Sequence, residues 1–180
     1  MKIKILLCCI LLLASLLFLF FTGERTALAR RRRAVLPLVT AASVEFGVPA
    51  AMILAVIHAE SDFQPDATSP VGAKGLMQLM PQTFSWLCER LEETPLQNGI
   101  SDPATNIRFG TYYLSYLYEK FGSWRVALAA YNAGEGRVCE WLADPLLASG
   151  DTLCHIPYPE TAAYVKKTLE YYTDYLEDHP

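Results

Sequence analysis

The chain has 180 residues and a mass of 20.1 kDa, enough for one domain of ordinary size and a short additional segment. Hydrophobic residues make up 52% and charged residues 19%, a composition that excludes an intrinsically disordered chain. The formal net charge is −4, but residues 34–180 alone hold 8 Lys and Arg against 18 Asp and Glu, a net charge of −10. Because phosphate attraction supplies most non-specific affinity for nucleic acids, so acidic a domain argues against a nucleic-acid partner.

The first 29 residues predict an export signal. Two lysines are followed by seventeen residues, 5–21, of which only one has a polar side chain. This run is long for a cleaved signal peptide and reaches the lower limit for a membrane-spanning helix, so we expect a retained signal anchor over residues 1–29. An Ala-Leu-Ala motif ends at Ala29 and offers a cleavage site, so a signal peptide cleaved near Ala29 is the alternative.

Four consecutive arginines, residues 30–33, form a basic juxtamembrane stem before the domain at 34–180. Counted alone, positive charges on this side of the apolar run would keep the domain in the cytoplasm. The sequence of the domain favours an extracytoplasmic location at the cell membrane. We give the domain sequence more weight than the charge count. The stem then either lies against anionic lipid head groups or is a solvated spacer.

The cysteines of the domain are an odd set. At least one of Cys88, Cys139 and Cys154 is therefore unpaired or joined to another molecule. In an exported domain we expect a disulfide between Cys139 and Cys154, with Cys88 buried as a small apolar residue. No spacing resembles a zinc site, and none implies a metal or a cofactor.

Glycine and proline positions divide the domain into successive helices without an alternating strand pattern, so the predicted fold class is all-α. The second helix is apolar almost all round, which is typical of a buried helix. Asp102 and Ser123 are the predicted caps of the helices that follow them. The predicted helices cover 34–46, 50–59, 75–80, 81–91, 103–120, 124–131, a short segment ending at 142, and 159–178, with loops over 64–74 and 143–158 and a break at 132–134.

Glu60 is unusual because it ends this apolar second helix. A carboxyl group there would lie against the core at the wall of a cleft, where desolvation raises its pKa and makes it a proton donor near neutral pH. The alternative is a helix-terminal Glu that is solvated or paired with Arg. His58 and Asp62 are each two positions away, about 200° around the helix, so neither is expected to act with Glu60.

Four sequence blocks favour the catalytic interpretation of Glu60. The blocks are Glu60-Ser61-x-Phe63-x-Pro65, Ser69-Pro70-Val71-Gly72-Ala73-Lys74-Gly75-Leu76-Met77-Gln78-Leu79-Met80-Pro81, Ala130-Tyr131-Asn132-Ala133-Gly134 and Ile156-Pro157-Tyr158-Pro159-Glu160-Thr161-x-x-Tyr164-Val165. In this order they resemble the Slt-type (family 1) lytic transglycosylases, bacterial murein-cleaving enzymes related in fold to goose-type lysozyme. The resemblance covers about residues 34–178 and implies a lysozyme-like helical domain with a cleft.

The resemblance also implies a reaction and a set of site residues. Glu60 matches the family's single catalytic carboxylate. In that family this acid protonates the β-1,4 glycosidic oxygen between N-acetylmuramic acid and N-acetylglucosamine, then takes the proton of the C6 hydroxyl that attacks C1. The product is a 1,6-anhydromuramic end, formed without water by a hydroxyl of very large effective molarity. The positions that match substrate-binding residues are Ser61, Ser69, Met77, Gln78, Tyr131, Asn132 and Tyr164.

Two other functions remain open at this point. A lysozyme-like hydrolase would use water in place of the C6 hydroxyl, and a non-catalytic murein-binding protein would need no acid at all. The implied partners are peptidoglycan glycan strands, with the membrane reached through the N-terminal segment and a monomer as the expected state. No cofactor and no metal is expected.

Overall fold

The computed structural model describes residues 2–94 and 99–178, with side chains for 22–94 and 99–177. The chain divides into two compact units, Met1–Ala34 and Val35–Pro180. The described residues form seven α-helices, one short 3-10 helix (Gly99–Ser101) and one short hairpin, so the prediction of an all-α fold is confirmed. The helices are α1 (Lys2–Phe46), α2 (Ala50–Ser61), α3 (Pro81–Arg90), α4 (Pro103–Phe121), α5 (Trp124–Ala133), α6 (Glu135–Ala143) and α7 (Pro159–Asp178).

Helix α1 contains the predicted basic stem, residues 30–33, in helical conformation. It ends before Gly47, whose φ of +68° suits a helix end, as the sequence predicts. Among the residues whose side chains are described, no helix is both long enough and apolar enough to cross a membrane. The apolar run at 5–21 lies outside those residues, so the signal segment over 1–29 stays a prediction.

Helix α2 is the centre of the core. Its residues from Met52 to Ile57 are each 2% exposed or less, which confirms the prediction of a buried helix. Helix α7 packs against α2, and α5 packs against α4, α6 and α7. Each large apolar side chain buried in this way stabilises the fold by about 2 kcal/mol. This packing fixes the positions of the polar residues at the end of α2 and on α5 and α7.

Helix α4 begins with the predicted cap. The Asp102 carboxylate accepts hydrogen bonds from the Thr105 backbone N–H at 2.9 Å and from the Thr105 hydroxyl at 2.8 Å. Pro103 follows in the first turn, where its missing N–H costs no hydrogen bond. Ser123 is the N-cap residue of α5 as predicted, although its side chain makes no capping hydrogen bond.

The prediction of a helix over 75–80 is wrong, because these residues form a tight turn. Lys74 forms two isolated antiparallel bridges, one with Thr68 and one with Leu79. Gly75 has a φ of +79° and Gln78 a φ of +47°, left-handed values that a right-handed helix cannot contain. A Cβ atom at position 75 would lie 2.4 Å from Asn106 Nδ2, so this position accepts only glycine.

Asn106 on α4 holds this turn together. It is fully buried, and its Oδ1 accepts a hydrogen bond from the Met77 backbone N–H at 2.7 Å. Its Nδ2 donates to the carbonyl oxygens of Lys74 at 2.9 Å and Ile100 at 2.7 Å. One side chain therefore satisfies three backbone groups of two separate segments, which fixes the turn against α4.

The C-terminal third differs from the prediction in two places. Helix α5 continues through Ala133, so the predicted break at 132–134 is confined to Gly134, with a φ of +91°. The predicted loop over 143–158 contains an antiparallel hairpin whose two-residue strands are too short to give an alternating pattern. The hairpin pairs β1 (Ala148–Ser149) with β2 (Thr152–Leu153).

The prediction of a disulfide between Cys139 and Cys154 is wrong, since both thiols are free and exposed. Cys139 belongs to α6, whereas Cys154 follows the hairpin and its Sγ lies 3.8 Å from the Thr152 carbonyl oxygen. Cys88 is 2% exposed, as predicted for a small apolar core residue.

Candidate active site

Glu60 lies in the last turn of α2, and the backbone bends sharply after it. Ser61 is the last helical residue, and both Asp62 and Phe63 have left-handed φ values, 49° and 60°. Such values are uncommon for residues other than glycine. The Phe63 side chain is 1% exposed and anchors the bend in the core. The bend leaves Glu60 partly buried at the end of a well-supported helix.

Burial raises the pKa of Glu60 from 4.5 to about 7. Desolvation of the carboxyl group is the largest cause, while the Tyr164 hydroxyl and then the positive charge of Lys167 act in the opposite direction. Within the described residues, none of the groups that shift this pKa is another carboxylate. The predicted effect of desolvation is confirmed, and Glu60 is partly protonated at neutral pH.

Two tyrosines, Tyr131 on α5 and Tyr164 on α7, interact with Glu60. Burial, and then the charge of Glu60, raise the pKa of both hydroxyls well above 10, so both stay neutral. Tyr131 Oη donates a hydrogen bond to the Met77 carbonyl oxygen at 2.8 Å. Tyr164 Oη is buried, and no described group forms a hydrogen bond of standard geometry with it. Its contact with Glu60 is therefore longer or more bent than such a bond, and a ligand or the ionised carboxylate can engage this donor.

Ser61 and Ser69, both predicted to bind substrate, make hydrogen bonds within the protein. Ser61 is 5% exposed, and its Oγ lies 2.8 Å from the Leu76 carbonyl oxygen and 3.1 Å from that of Ile57. Ser69 Oγ accepts a hydrogen bond from the Ala73 backbone N–H at 3.0 Å. Ser61 thus joins the end of α2 to the tight turn, and Ser69 closes the preceding loop.

Met77 and Gln78 occupy the tight turn held by Asn106. The Met77 side chain is fully buried against Gly110, where an added Cβ atom would lie 2.6 Å from its Sδ, so it lies in the core instead of lining a cleft. Gln78 is partly exposed, and its Nε2 donates to the carbonyl oxygens of Ala67 at 3.0 Å and Gly75 at 2.8 Å. Both amide hydrogens are then used, which leaves Oε1 as the acceptor that Gln78 offers to a ligand.

Asn132 is exposed and directly follows Tyr131 on α5. Its Oδ1 accepts a hydrogen bond from the Thr161 hydroxyl at 2.7 Å, which links α5 to the first turn of α7. The structure therefore places Tyr131 and Tyr164 near enough to Glu60 to interact with it electrostatically. Ser61 joins the end of α2 to the tight turn, and Met77 accepts a hydrogen bond from Tyr131 in that turn. No described contact joins Ser69, Gln78 or Asn132 to the carboxyl group.

His58 lies in a cluster of aromatic rings. Its ring stacks on Tyr171 with a centroid distance of 3.7 Å, and its Nδ1 lies 2.8 Å from Tyr175 Oη. Its Nε2 lies 3.7 Å from Asp62 Oδ1. That neither residue acts with Glu60 stays a prediction. Among the side chains that are described, no group of three or more His, Cys, Asp or Glu residues is arranged to hold a metal ion.

Sequence reasoning missed a groove beside the tyrosines, formed by α3, α4 and the start of α6. It includes Trp86 and Tyr113, and the Tyr113 ring lies 5.3 Å from that of Tyr131. The sequence signal was the series of tyrosines in α4, whose helical spacing indicates mostly core with one edge free to stack on a sugar. Met80, just before α3, is 40% exposed, so it is available to a ligand where Met77 is not.

The family assignment agrees with this arrangement of α2, the tight turn and α5. Residues 37–147 match the family described as the Transglycosylase SLT domain, and the chain belongs to this family. The resemblance drawn from the sequence blocks is therefore confirmed. The matched range includes Glu60, Gln78 and Tyr131, while Tyr164 on α7 lies beyond it.

Individual relatives cover most of this chain but are themselves much longer. The chain is 39% identical over 143 residues to the soluble lytic murein transglycosylase of Escherichia coli (strain K12), covering 74% of this chain and 22% of that protein. It is 35% identical over 122 residues to the membrane-bound lytic murein transglycosylase C of Photorhabdus laumondii, covering 62% of this chain and 34% of that one. The chain thus spans between a fifth and about a third of the length of these relatives.

Solved structures show the same fold. The 70 kDa soluble lytic transglycosylase of Escherichia coli superposes with a TM-score of 0.72 at 31% identity, covering 84% of this chain and 29% of that chain. The lytic transglycosylase Slt of Pseudomonas aeruginosa, solved as an inactive mutant in which Gln replaces a Glu, has a TM-score of 0.69 at 37% identity, covering 79% and 24%. The predicted lysozyme-like, Slt-type helical domain is thereby confirmed.

Proposed function

We propose that this protein is a peptidoglycan lytic transglycosylase, a lyase that cuts the β-1,4 bond between N-acetylmuramic acid and N-acetylglucosamine. One observation carries the proposal: Glu60 is a partly buried acid with a pKa of about 7, and no carboxylate is among the described groups that shift this pKa. A retaining glycosidase of the ordinary kind needs a second carboxylate as nucleophile. Formation of a 1,6-anhydro ring needs one acid that later acts as a base. The names of the relatives support this activity.

In the first step, protonated Glu60 gives its proton to the glycosidic oxygen as the bond from that oxygen to C1 of the muramic sugar breaks. The N-acetyl carbonyl of that sugar stabilises the positive charge at C1. The Glu60 carboxylate then accepts the proton of the C6 hydroxyl, whose oxygen bonds to C1. Since C6 belongs to the same sugar, the attack is intramolecular and gains a very large effective molarity over water.

The neighbours of Glu60 take different parts in this proposal. Tyr164 donates to the carboxylate formed in the first step, because its buried hydroxyl has no standard hydrogen bond of its own among the described residues. Tyr131 and Gln78 present a neutral hydroxyl and an amide oxygen to sugar hydroxyls and acetamido groups. Asn132 adds an exposed amide beside Tyr131. Three of the predicted binding residues, with buried or bonded side chains, hold the walls of the cleft instead: Ser61, Ser69 and Met77.

The substrate of this reaction also sets the location. Peptidoglycan lies outside the cytoplasmic membrane, so we place the domain there, attached to the membrane through residues 1–29 or released by cleavage near Ala29. One relative is named soluble and another membrane-bound, and the names support both arrangements. The stem at 30–33 is helical, and we propose that it lies at the lipid surface.

Mass spectrometry of the fragments released from purified peptidoglycan by the full-length chain tests the function. We expect disaccharide-peptides that are lighter by one water than hydrolysed fragments, because C6 oxygen takes the place of water. Fragments of full hydrolysed mass would identify a lysozyme-like hydrolase instead. Absence of any soluble fragment would contradict both enzymatic assignments and favour a murein-binding protein.

Replacing Tyr164 by Phe is expected to move the pH dependence of the reaction. Glu60 must be protonated at the start, so activity falls as pH rises through its pKa of about 7. The Tyr164 hydroxyl lowers this pKa, so its removal raises the pKa and shifts the alkaline limb to higher pH.

Initial rates of fragment release between about pH 5 and pH 9 measure the midpoint of that limb. Tyr172→Phe, on the same helix, is the control and should leave it in place. An unchanged or lowered midpoint in Tyr164→Phe would contradict the contact.

A further inference from the structure

Lys167 lies on α7 about one turn beyond Tyr164, the residue whose hydroxyl interacts with Glu60. Side chains three positions apart on a helix are neighbours on its surface, with Cβ atoms about 5–6 Å apart. Helix α7 packs against α2, the helix that contains Glu60. The positive charge of Lys167 acts on Glu60 and lowers its pKa. Lys167 is therefore a cation at the edge of the candidate active site.

The side chain of Lys167 lies over an aromatic ring that is itself fixed. Its Nζ lies 5.4 Å from the centre of the Tyr171 ring, about one turn further along α7. The Tyr171 ring stacks on His58 of α2 with an angle of 10° between the ring planes, so its orientation is set by the packing of the two helices. An ammonium group is attracted to the face of such a ring. This attraction limits the conformations of Lys167, which lowers the entropy cost when its amine binds a ligand.

Lys167 has no carboxylate partner among the described side chains, although residues 34–180 have a net charge of −10. Its neighbour Lys166, by contrast, has its Nζ 3.8 Å from Glu170 Oε1. Three further basic residues are paired with carboxylates: Arg108, Lys120 and Arg137. Lys167 is exposed, and its amine has three N–H donors. It is therefore available to an anionic group of a ligand that binds beside Glu60.

Peptidoglycan has carboxylates close to the bond that is cut. The muramic sugar has a lactyl group on C3, and an amide bond joins this group to a short peptide stem with free carboxylates. In the proposed reaction C1 of this sugar reacts beside Glu60, so the stem belongs to the sugar that occupies the centre of the site. The long, flexible side chain of a lysine can reach a carboxylate of that stem. The reactive form of Glu60 is protonated and uncharged, so it does not repel the stem.

We infer that Lys167 binds a carboxylate of the peptide stem on the muramic sugar whose C1 reacts, and that it thereby makes the domain prefer glycan strands with charged stems. The interaction is an ion pair at the protein surface, so we expect it to change the affinity about fivefold. The inference rests on the proposed function for the identity of the strand. It adds a binding residue that determines substrate specificity and takes no part in proton transfer.

Binding of two matched ligands tests the inference. One is a tetrasaccharide of two N-acetylglucosaminyl-N-acetylmuramic acid units with peptide stems, and the other is the same molecule with its stem carboxylates converted to amides. Isothermal titration is performed on the full-length chain in detergent, in the Glu60→Gln background. This background prevents cleavage, and it removes the charge on which Lys167 acts within the protein. Salt at about 0.15 M limits the effect of distant charges.

We expect the charged ligand to bind the Glu60→Gln parent about fivefold more tightly than the amidated ligand. Lys167→Met should raise Kd of the charged ligand about fivefold and leave Kd of the amidated ligand unchanged, whereas Lys167→Arg should keep the preference. Lys166→Met is the matched control, because it removes the same charge from the adjacent exposed residue. It should leave both Kd values within about a factor of two of the parent.

The inference is overturned if the charged ligand does not bind, if both ligands bind the parent equally, or if Lys167→Met and Lys166→Met weaken binding to the same extent. An equal change for both ligands in Lys167→Met would also overturn it, because the residue would then act through the protein and not on a stem carboxylate.

The outcome is separate from that of the proposed function, which the mass of the released fragments decides. A lost preference in Lys167→Met together with hydrolysed fragments from the active chain would keep the stem contact and overturn the transglycosylase. Anhydro fragments together with an unchanged preference in Lys167→Met would do the opposite.

Discussion

Replacing Glu60 by Gln is expected to lower the rate of peptidoglycan cleavage about a thousandfold, the usual contribution of a general acid. The amide keeps the size and planarity of the carboxyl group, so the end of α2 retains its shape. It has no proton to give to the glycosidic oxygen and cannot take the proton of the C6 hydroxyl. Release of soluble fragments from purified peptidoglycan, at equal concentrations of both proteins, measures the loss.

Glu119→Gln is the matched control for this substitution. Glu119 is exposed near the end of α4, and the change removes the same charge without touching the candidate site. Its rate should stay within a factor of two of the parent, on the order of a surface substitution. If Glu60→Gln kept the rate of the control, Glu60 would not be the acid and the proposed mechanism would be wrong.

Replacing Asn106 by Ala is expected to lower the free energy of unfolding by on the order of 4 kcal/mol. The change leaves the Met77 N–H and the carbonyl oxygens of Lys74 and Ile100 without their buried partner. Each unsatisfied buried polar group costs about 1–3 kcal/mol, and a small cavity adds to the loss. Urea denaturation followed by circular dichroism measures the change.

Asn132→Ala is the comparison for this stability effect, because Asn132 is exposed and its Oδ1 makes a single hydrogen bond to Thr161. It should lower the free energy of unfolding by less than about 1 kcal/mol. A loss that small in Asn106→Ala would show that the turn holds its shape through its own bridges. Asn106 would then not be the residue that positions Gln78.

Most helix ends were predictable from local chemistry. The Asp102 side chain caps the first turn of α4, and Pro103 begins that turn. Gly47 and Gly134 end their helices because their positive φ values are accessible to glycine without strain. Each of these residues lies within a few positions of the helix end that it determines, so the helix ends can be predicted from a single sequence.

The tight turn was not predictable, because the group that fixes it is distant in sequence. Gly75-Leu76-Met77-Gln78 reads as apolar helix, and the left-handed φ of Gln78 has no local signal. Asn106, about thirty residues later, replaces the helical hydrogen bonds with its own amide. Met77 was predicted as a binding residue from its match to the family, and the turn places its side chain in the core against Gly110.

The groove was hidden for a related reason. Trp86, Tyr113 and Glu135 stand on three helices and come together only when these helices pack. Glu60 was found because its anomaly is local, a carboxyl group at the end of an apolar helix. A site assembled from several helices, each with ordinary residues, has no comparable signature in the sequence.

The buried acid also couples proton binding to folding. In the unfolded chain Glu60 ionises near 4.5, and in the folded domain it ionises near 7. Between these values the folded state holds the proton more tightly, so the stabilising contribution is complete at low pH and disappears as pH rises through 7. At about 1.36 kcal/mol per unit, the difference approaches roughly 3 kcal/mol, a large part of the margin that keeps a domain folded. The group proposed as the acid thus makes the fold weaker at neutral pH, and a neutral side chain in its place would yield a more stable domain.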